Sequence, residues 1–449
     1  MIARYGKQLW GSVVVASTLA GQHRIPFLPR HRLEALRDRR IRRLVAYAAR
    51  SVPYYRQWFA REGLDPNRIK GAADLDRLPL LDRNLVRTQP GLFLAESAAA
   101  RGGVSFWTSG STGMPLQVSH DRRSLLANIS FGERERDPVV HACGSFRPTE
   151  CYVGYETSTM KKVLALYEEN TWLPVRPRRR FVSVGEPIEA IAAIVNAERP
   201  DLLVGYGGWI DLFFRTVVAR GIDLHPPRMV MYMGEALPPG GRAHIEERFG
   251  VPVLSRYNAI EAFKIGFFCE HRTGFHLHED LCHVRVIGPD GETAAPGIEG
   301  EIVITNLVNR ATILLNYPLG DLGTMSVERC PCGRTLRLLR ELEGRTEDIL
   351  PLIDGRFVHP RLVWQVFKND RDVLQYQLTQ HDPQRFELTL VTVDDAIFEK
   401  ALERALPALR QLLGPEATIE TRRETLDRRP GEKFRAVASR CTRAATTKP

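Results

Sequence analysis

The 449-residue chain, 43% hydrophobic and 26% charged, is too long for one hydrophobic core and calls for at least two domains. Seven cysteines over that length do not make a disulfide framework, so a reducing cytoplasm is expected, and cysteines that group are expected to bind metal. The formal charge of +10 comes almost wholly from scattered arginines with no aromatic interleaving or nucleic-acid motif, which sets nucleic acid aside as a partner.

At the N-terminus Arg4 and Lys7 precede an apolar stretch over residues 9–21. It mimics a short signal peptide but has no Ala-x-Ala cleavage site and is too short to span a bilayer, so no transmembrane segment is expected. It reads as an amphipathic or packed helix, with peripheral membrane contact as the lesser alternative. From residue 30 Leu33, Leu36, Ile41, Leu44 and Ala48 share a helical face, and Pro53, Pro66, Pro79 and Pro90 cut the rest into short helices and turns. Residues 1–96 form a helical leader with no chemistry of its own.

The middle of the chain alternates strand and helix patterns. A helix through Ile188, Ile191 and Val195 precedes a buried strand, Leu202-Leu203-Val204. A helix over 209–220, a strand over 229–233, a helix near 244–249 and a strand over 251–255 follow. This order implies a parallel sheet wrapped by helices. Ligands in such sheets bind beyond the carboxyl ends of the strands, where Gly205-Tyr206, Gly234-Glu235 and the stretch from Tyr257 to Glu261 lie. Near residue 345 the character changes. Strands over 373–379 and 386–393, a helix over 396–413 and a strand over 417–421 make a small α+β unit.

A strand pattern over 104–107 leads into Thr108-Ser109-Gly110-Ser111-Thr112-Gly113-Met114-Pro115. Its glycines let backbone N–H groups turn inward and its hydroxyls can donate to phosphate oxygens. The Gly-Lys-Ser/Thr ending of a Walker loop is absent. Further along stand Met233-Gly234-Glu235-Ala236-Leu237, Tyr257-Asn258-Ala259-Ile260-Glu261, Gly300-Glu301-Ile302-Val303-Ile304-Thr305-Asn306-Leu307, Tyr317-Pro318-Leu319-Gly320-Asp321, Gly344-Arg345-Thr346-Glu347-Asp348 and Pro430-Gly431-Glu432-Lys433.

In this ordered series, covering most of residues 104–437, the chain resembles the adenylate-forming superfamily and its phenylacetate–CoA ligase-like branch. The resemblance implies an acyl-CoA synthetase-like α/β fold. A large N-terminal adenylation domain with wrapped sheets would span residues 1–345, and a small mobile α+β lid residues 346–449. It implies that ATP activates a carboxylic acid, aryl or arylalkyl, to an acyl-adenylate that passes to coenzyme A with release of AMP. Thr108 to Gly113, Gly234 and Glu235 would bind ATP, and Tyr257 would stack on adenine. Glu261 would hold Mg2+ between the phosphates. Asp321, helped by Arg345, would accept from the ribose hydroxyls, and Lys433 would neutralise charge as the carboxylate attacks the α-phosphate. The chain departs from the pattern in places: Asn258 stands where glycine is usual, Asn316 where arginine often precedes the motif tyrosine, and Pro318 and Leu319 make that segment more apolar than usual.

A second constellation is Cys269, His276, Cys330 and Cys332, three sulfurs and one imidazole that match a closed structural Zn2+ site. The resemblance supports it; His271, His278 and Cys282 compete as ligands. Tyr155, Gly205 and Tyr206, with Gly207, Gly208 and Trp209, are expected at the acyl pocket. The densest basic run, Arg176-Pro177-Arg178-Arg179-Arg180, could steer a phosphorylated ligand such as coenzyme A, or it could be a solvated loop. Three alternatives stand: transfer to an amine, transfer to a carrier-protein thiol, and a retired nucleotide-binding protein. A homodimer is left open.

Overall fold

The computed structural model describes residues 2–101, 103–107, 115–174, 178–237, 239–340, 342, 344–345, 348–367, 370–424 and 434–441. At its centre is an eight-stranded sheet. From one edge its strands are Leu338–Leu339, Phe275–Leu277, Gly266–Phe268, Val253–Tyr257, Met229–Met233, Leu202–Gly205, Thr149–Gly154 and Arg178–Ser183. The last five are mutually parallel, as the alternating pattern requires. The short apolar runs of Leu202–Gly205, Met229–Met233 and Val253–Tyr257 are buried on both faces, which suits a parallel sheet covered on two sides, while the edge strand Arg178–Ser183 is only partly buried. Cys151, Val153, Leu203 and Val230 face one core with Phe213 and Ile191. Tyr152, Leu202, Met229 and Met231 face a larger core shared with the leader helices. The strand expected over 251–255 lies at Val253–Tyr257, because Pro252 has no N–H to give the ladder and pairing starts after it.

A second, antiparallel sheet follows with strands Cys282–Ile287, Glu299–Asn306, Tyr317–Thr324 and Gly344–Arg345. Leader helix Arg30–Ser51 buries Leu33, Ile41, Leu44, Val45 and Ala48 at helical spacing. Helix Ile2–Leu19 packs Val14 and Val15 on Leu126 and Tyr167, while Tyr5, Leu9 and Val13 stay exposed. Among the described residues no helix is long and apolar enough to cross a membrane.

Beyond residue 348 a separate hydrophobic cluster includes Leu350, Val363, Leu378, Leu388, Leu409 and Val437. Its sheet runs Thr418–Arg423, Arg385–Val391, Gln375–Gln380, Val437–Ser439 and is backed by helix Asp395–Leu413. Asp394 caps that helix, its carboxylate accepting from Ile397 N at 2.8 Å. The bonds that tie this part to the rest include Gln375 Nε2 donating to Gly208 O at 3.1 Å and Phe434 N donating to Glu235 Oε1 at 2.8 Å.

Candidate functional site

A cavity of about 1320 Å³ opens where the parallel strands end. Its lining includes Tyr155, Tyr206, Gly234, Glu235, Tyr257 and Glu261 from the large sheet, Asp321 from the second sheet, and Phe434 with Arg435 from beyond it. Each residue arrives there for a local reason. Tyr206 immediately follows strand Leu202–Gly205, Gly234 and Glu235 follow Met229–Met233, and Tyr257 closes Val253–Tyr257. The sheet therefore delivers three motif segments to one edge, as a crevice beyond parallel strands requires.

The polar geometry links residues far apart in sequence. Tyr257 Oη donates to Asp321 Oδ2 at 2.7 Å, so the expected adenine-stacking ring and the expected ribose acceptor meet directly. Asp321 lies opposite Arg345 in the antiparallel register. Glu261 is buried and acts on Tyr317. Burial first, and then the Glu261 carboxylate, push the Tyr317 hydroxyl above its ordinary range, while Arg83 and Arg87 pull it down. Those two arginines line the cavity from helix Arg83–Thr88. At Gly320, where φ is +82°, a Cβ would collide with the Arg83 guanidinium. The leader thus contributes two cations to the crevice, contrary to the expectation that it brings no chemistry. In a six-residue helix such arginines look like solvated surface, and nothing in the local sequence marks them out.

A buried charge cluster holds the Tyr257–Glu261 segment from behind. Glu135 meets Arg256 at 2.7 Å, Lys264 at 2.9 Å and His278 Nε2 at 2.9 Å. Burial alone would raise the Glu135 carboxyl, but Lys264, Arg256 and His278 together hold it well below its ordinary range. Both ends of the motif segment are therefore anchored to one carboxylate. Asn258 reaches the carbonyls of Phe263 at 2.8 Å and Tyr257 at 3.0 Å through its amide, so it fastens this turn. Asn316, the second departure, is fully buried at φ +51°. Its Nδ2 donates to Leu75 O at 2.7 Å and Leu78 O at 3.1 Å, a clamp on the leader that an arginine could not make in the same space.

Several expected residues fall elsewhere. Thr108, Ser109, Gly110, Ser111, Thr112, Gly113 and Lys433 lie outside the described residues, as does the side chain of Arg345. Gly205 is not among the cavity-lining residues: a Cβ there would come within 2.9 Å of Trp209 Cε3, so its bareness serves helix packing. Trp209 itself turns to the opposite core and stacks on Phe213 at 5.0 Å. Tyr155 and Tyr206 stay at the cavity with ring centroids 5.4 Å apart. The basic run is not one surface patch. Described from Arg178 onward, it is an edge strand whose alternation pairs Arg179 with buried Glu150 and leaves Arg180 3.4 Å from Glu198.

Away from the crevice, Cys269, His276, Cys330 and Cys332 bring their ligand atoms within 4.8 Å of one another. Cys269 Sγ is 3.4 Å from Cys330 Sγ, and Cys332 Sγ is 3.4 Å from His276 Nε2. A tetrahedral zinc with bonds of about 2.3 Å to sulfur and about 2.0 Å to nitrogen separates its ligand atoms by roughly 3.5–3.8 Å, and both of these pairs lie within a few tenths of an ångström of that spacing. Burial drives His276 down to about 3, keeping the ring neutral as a ligand must be. Thr273 Oγ1 at 3.3 Å from Cys330 Sγ, and His271 N at 3.4 Å from Cys269 Sγ, can donate to thiolates. Of the competing ligands, His278 is committed to Glu135, and Cys282 is buried in the large core.

No protein-family model matches the chain. The phenylacetate–coenzyme A ligase of Thermus thermophilus is 30% identical over 353 residues, 76% of this chain and 76% of that protein. The 2-hydroxyisobutyryl-CoA ligase structure in the postadenylation state superposes with a TM-score of 0.72 at 19% identity, covering 93% of this chain and 91% of that one. The same ligase in its thioesterification state, with 2-HIB-AMP and CoA, superposes at 0.59 over the same shares and at the same identity. The fold is shared.

Proposed function

Because the chain belongs to the phenylacetate–coenzyme A ligase family, we propose that it joins a carboxylic acid, aryl or arylalkyl, to coenzyme A through an acyl-adenylate. The observation that carries this reading is the convergence of Tyr257, Asp321, Glu261 and Glu235 at one cavity with Phe434, the residue after Lys433, bonded to Glu235. Tyr257 and Asp321 hold adenine and ribose. The loop of Thr108 to Gly113 cradles the phosphates, and Arg83 and Arg87 face them from the leader. A carboxylate oxygen of the acid attacks the α-phosphate, pyrophosphate departs, and Lys433 stabilises the charge that gathers on the reacting phosphate. Magnesium, when bound, neutralises phosphate charge; buried Glu261 is the hard carboxylate that would hold it. Residues 1–345 form the adenylation domain and 346–449 a lid that reorients about residues 344–348, withdrawing Lys433 and admitting the thiol. The separate cluster around Leu378 and Leu409 supports a lid that moves as a unit.

Cys269, His276, Cys330 and Cys332 would hold a structural zinc, since four protein ligands leave no open position for chemistry. The cytoplasm is the matching compartment, with ATP and coenzyme A at hand. An ATP–pyrophosphate exchange screen across acids, run with and without coenzyme A, tests the whole reading. Acid-dependent exchange with thioester formed only in the presence of coenzyme A is expected. Exchange without any thioester would move the second step to an amine or carrier protein.

A further inference from the structure

The cavity at the strand ends exceeds the roughly 300–1,000 Å³ of ordinary ligand sites. The excess runs back along the sheet: its lining includes Met160, Leu164, Val139 and Leu202, and then Glu150 with Arg179. Glu150 and Arg179 are register partners on the edge strand Arg178–Ser183 and its neighbour Thr149–Gly154, as are Tyr152 and Phe181. Strand alternation therefore puts an aromatic pair, with ring centroids 5.3 Å apart, and an ion pair in successive rows on one face. Arg179 Nε donates to Glu150 Oε1 at 2.5 Å and Nη2 to Oε2 at 2.9 Å. The guanidinium carbon lies 5.9 Å from the Tyr152 ring centroid and 5.7 Å from that of Phe181.

Resting on the acid-activation reading, we propose that this ion pair is the far wall of the acyl pocket and selects an elongated acid bearing a neutral hydroxyl distal to its carboxylate. The reacting carboxylate belongs at the strand ends near Gly154, and Glu150 is four residues back, about 13 Å at roughly 3.3 Å per residue. A flat apolar body can lie along the Tyr152 ring, which lines the cavity beside the ion pair. The fork to Glu150 uses two of the five guanidinium N–H groups, and each Glu150 oxygen keeps a lone pair. A hydroxyl can donate to Glu150 and accept from Arg179 at once. A second carboxylate would be repelled by Glu150, and an ammonium by Arg179. Glu150 is 5% exposed, so a ligand lacking the hydroxyl leaves that bonding capacity unmet and out of reach of bulk water.

The test is ATP–pyrophosphate exchange with 4′-hydroxybiphenyl-4-carboxylic acid against biphenyl-4-carboxylic acid, with phenylacetate alongside. The wild type is expected to favour the hydroxy acid by at least about tenfold in kcat/KM, because sites built for a hydroxyl reject analogues lacking it. Glu150→Leu together with Arg179→Met replaces the pair by apolar groups of similar size, which buried pairs often tolerate; the ratio should fall to one or below. A merely structural pair would lower both acids together and leave the ratio unchanged, so that result overturns the inference. A wild-type ratio near one overturns it as well while leaving acid activation standing, provided any of the three acids supports exchange. No exchange with any of them overturns this inference, and the wider acid screen then decides the activation reading.

Discussion

The cysteine–histidine cluster and the crevice differ in how their parts are held. The cluster's four ligand atoms lie within 4.8 Å, His276 on strand Phe275–Leu277 and the cysteines on the loops after Gly266–Phe268 and before Leu338–Leu339, at one end of the large sheet. The crevice takes Tyr257 and Glu261 from that sheet, Asp321 from another, Arg83 from the leader and Phe434 from beyond residue 348. A closed knot can fix a fold but offers nothing a place to react. A crevice built from separately anchored pieces can open and close, at the cost of depending on every anchor. Loss of the first should therefore appear as stability, and loss of the second as one half-reaction.

The largest effect expected is on the knot. The purified protein should contain one zinc per chain by elemental analysis, matching the single four-ligand set among the described residues. Cys330→Ser with Cys332→Ser should release the metal and cost upwards of about 4 kcal/mol of stability, the range reached when a structural metal is lost. Pyrophosphate exchange by the molecules that remain folded should be little altered. Metal-free protein of full thermal stability, purified without chelators, would leave these cysteines as plain core residues.

Next comes Lys433. Lys433→Ala should slow adenylate formation by about a hundredfold to a thousandfold, the usual loss when an electrostatic stabiliser is removed. Thermal stability and thioester formation from supplied acyl-adenylate should stay near normal. Equal loss in both half-reactions would erase the contrast between knot and crevice. In the same crevice, Glu261→Gln keeps the shape and removes the charge that attracts a hard cation. A rightward shift of the magnesium titration is expected, and coincident curves for mutant and parent would take Glu261 out of the metal site.

How much of this could be read from the chain alone follows from the range of the forces involved. Strand Met229–Met233 and the three motif segments at the strand ends were legible because they are continuous in sequence. The four clustered ligands were legible from chemistry, though spacing could not separate His276 from His278; the burial of His278 against Glu135 does that. Arg83 and Arg87 were not legible, since only the packing of leader on second sheet turns them inward. The arginine run misled for a related reason. Read as a loop it is one patch, but as an edge strand its period of two sends Arg179 to Glu150. Gly205 looked like a ligand contact and is a packing contact with Trp209, a distinction made by a side chain four residues away.

The smallest effect falls on the contact that joins the two sides of the crevice. Glu235 is 9% exposed and accepts from Phe434 N at 2.8 Å, one residue beyond Lys433. Arg435 pairs with Asp348, so each of the two residues that follow Lys433 has a fixed partner. A hydrogen bond to a charged acceptor contributes about 1.5–3 kcal/mol, with the lower end apt for a site at a cavity mouth. Glu235→Ala removes the acceptor and should slow exchange about tenfold, since roughly 1.4 kcal/mol is a factor of ten. Glu235→Gln keeps an oxygen in place but not its charge and should lose only about twofold to threefold, a neutral bond being worth roughly half a charged one. With the lid reoriented for thioester formation as proposed, neither variant should slow that step, and zinc content should match the parent. Should Glu235→Ala slow both half-reactions alike, Glu235 would be acting on the bound nucleotide or acid and not on the placement of Lys433.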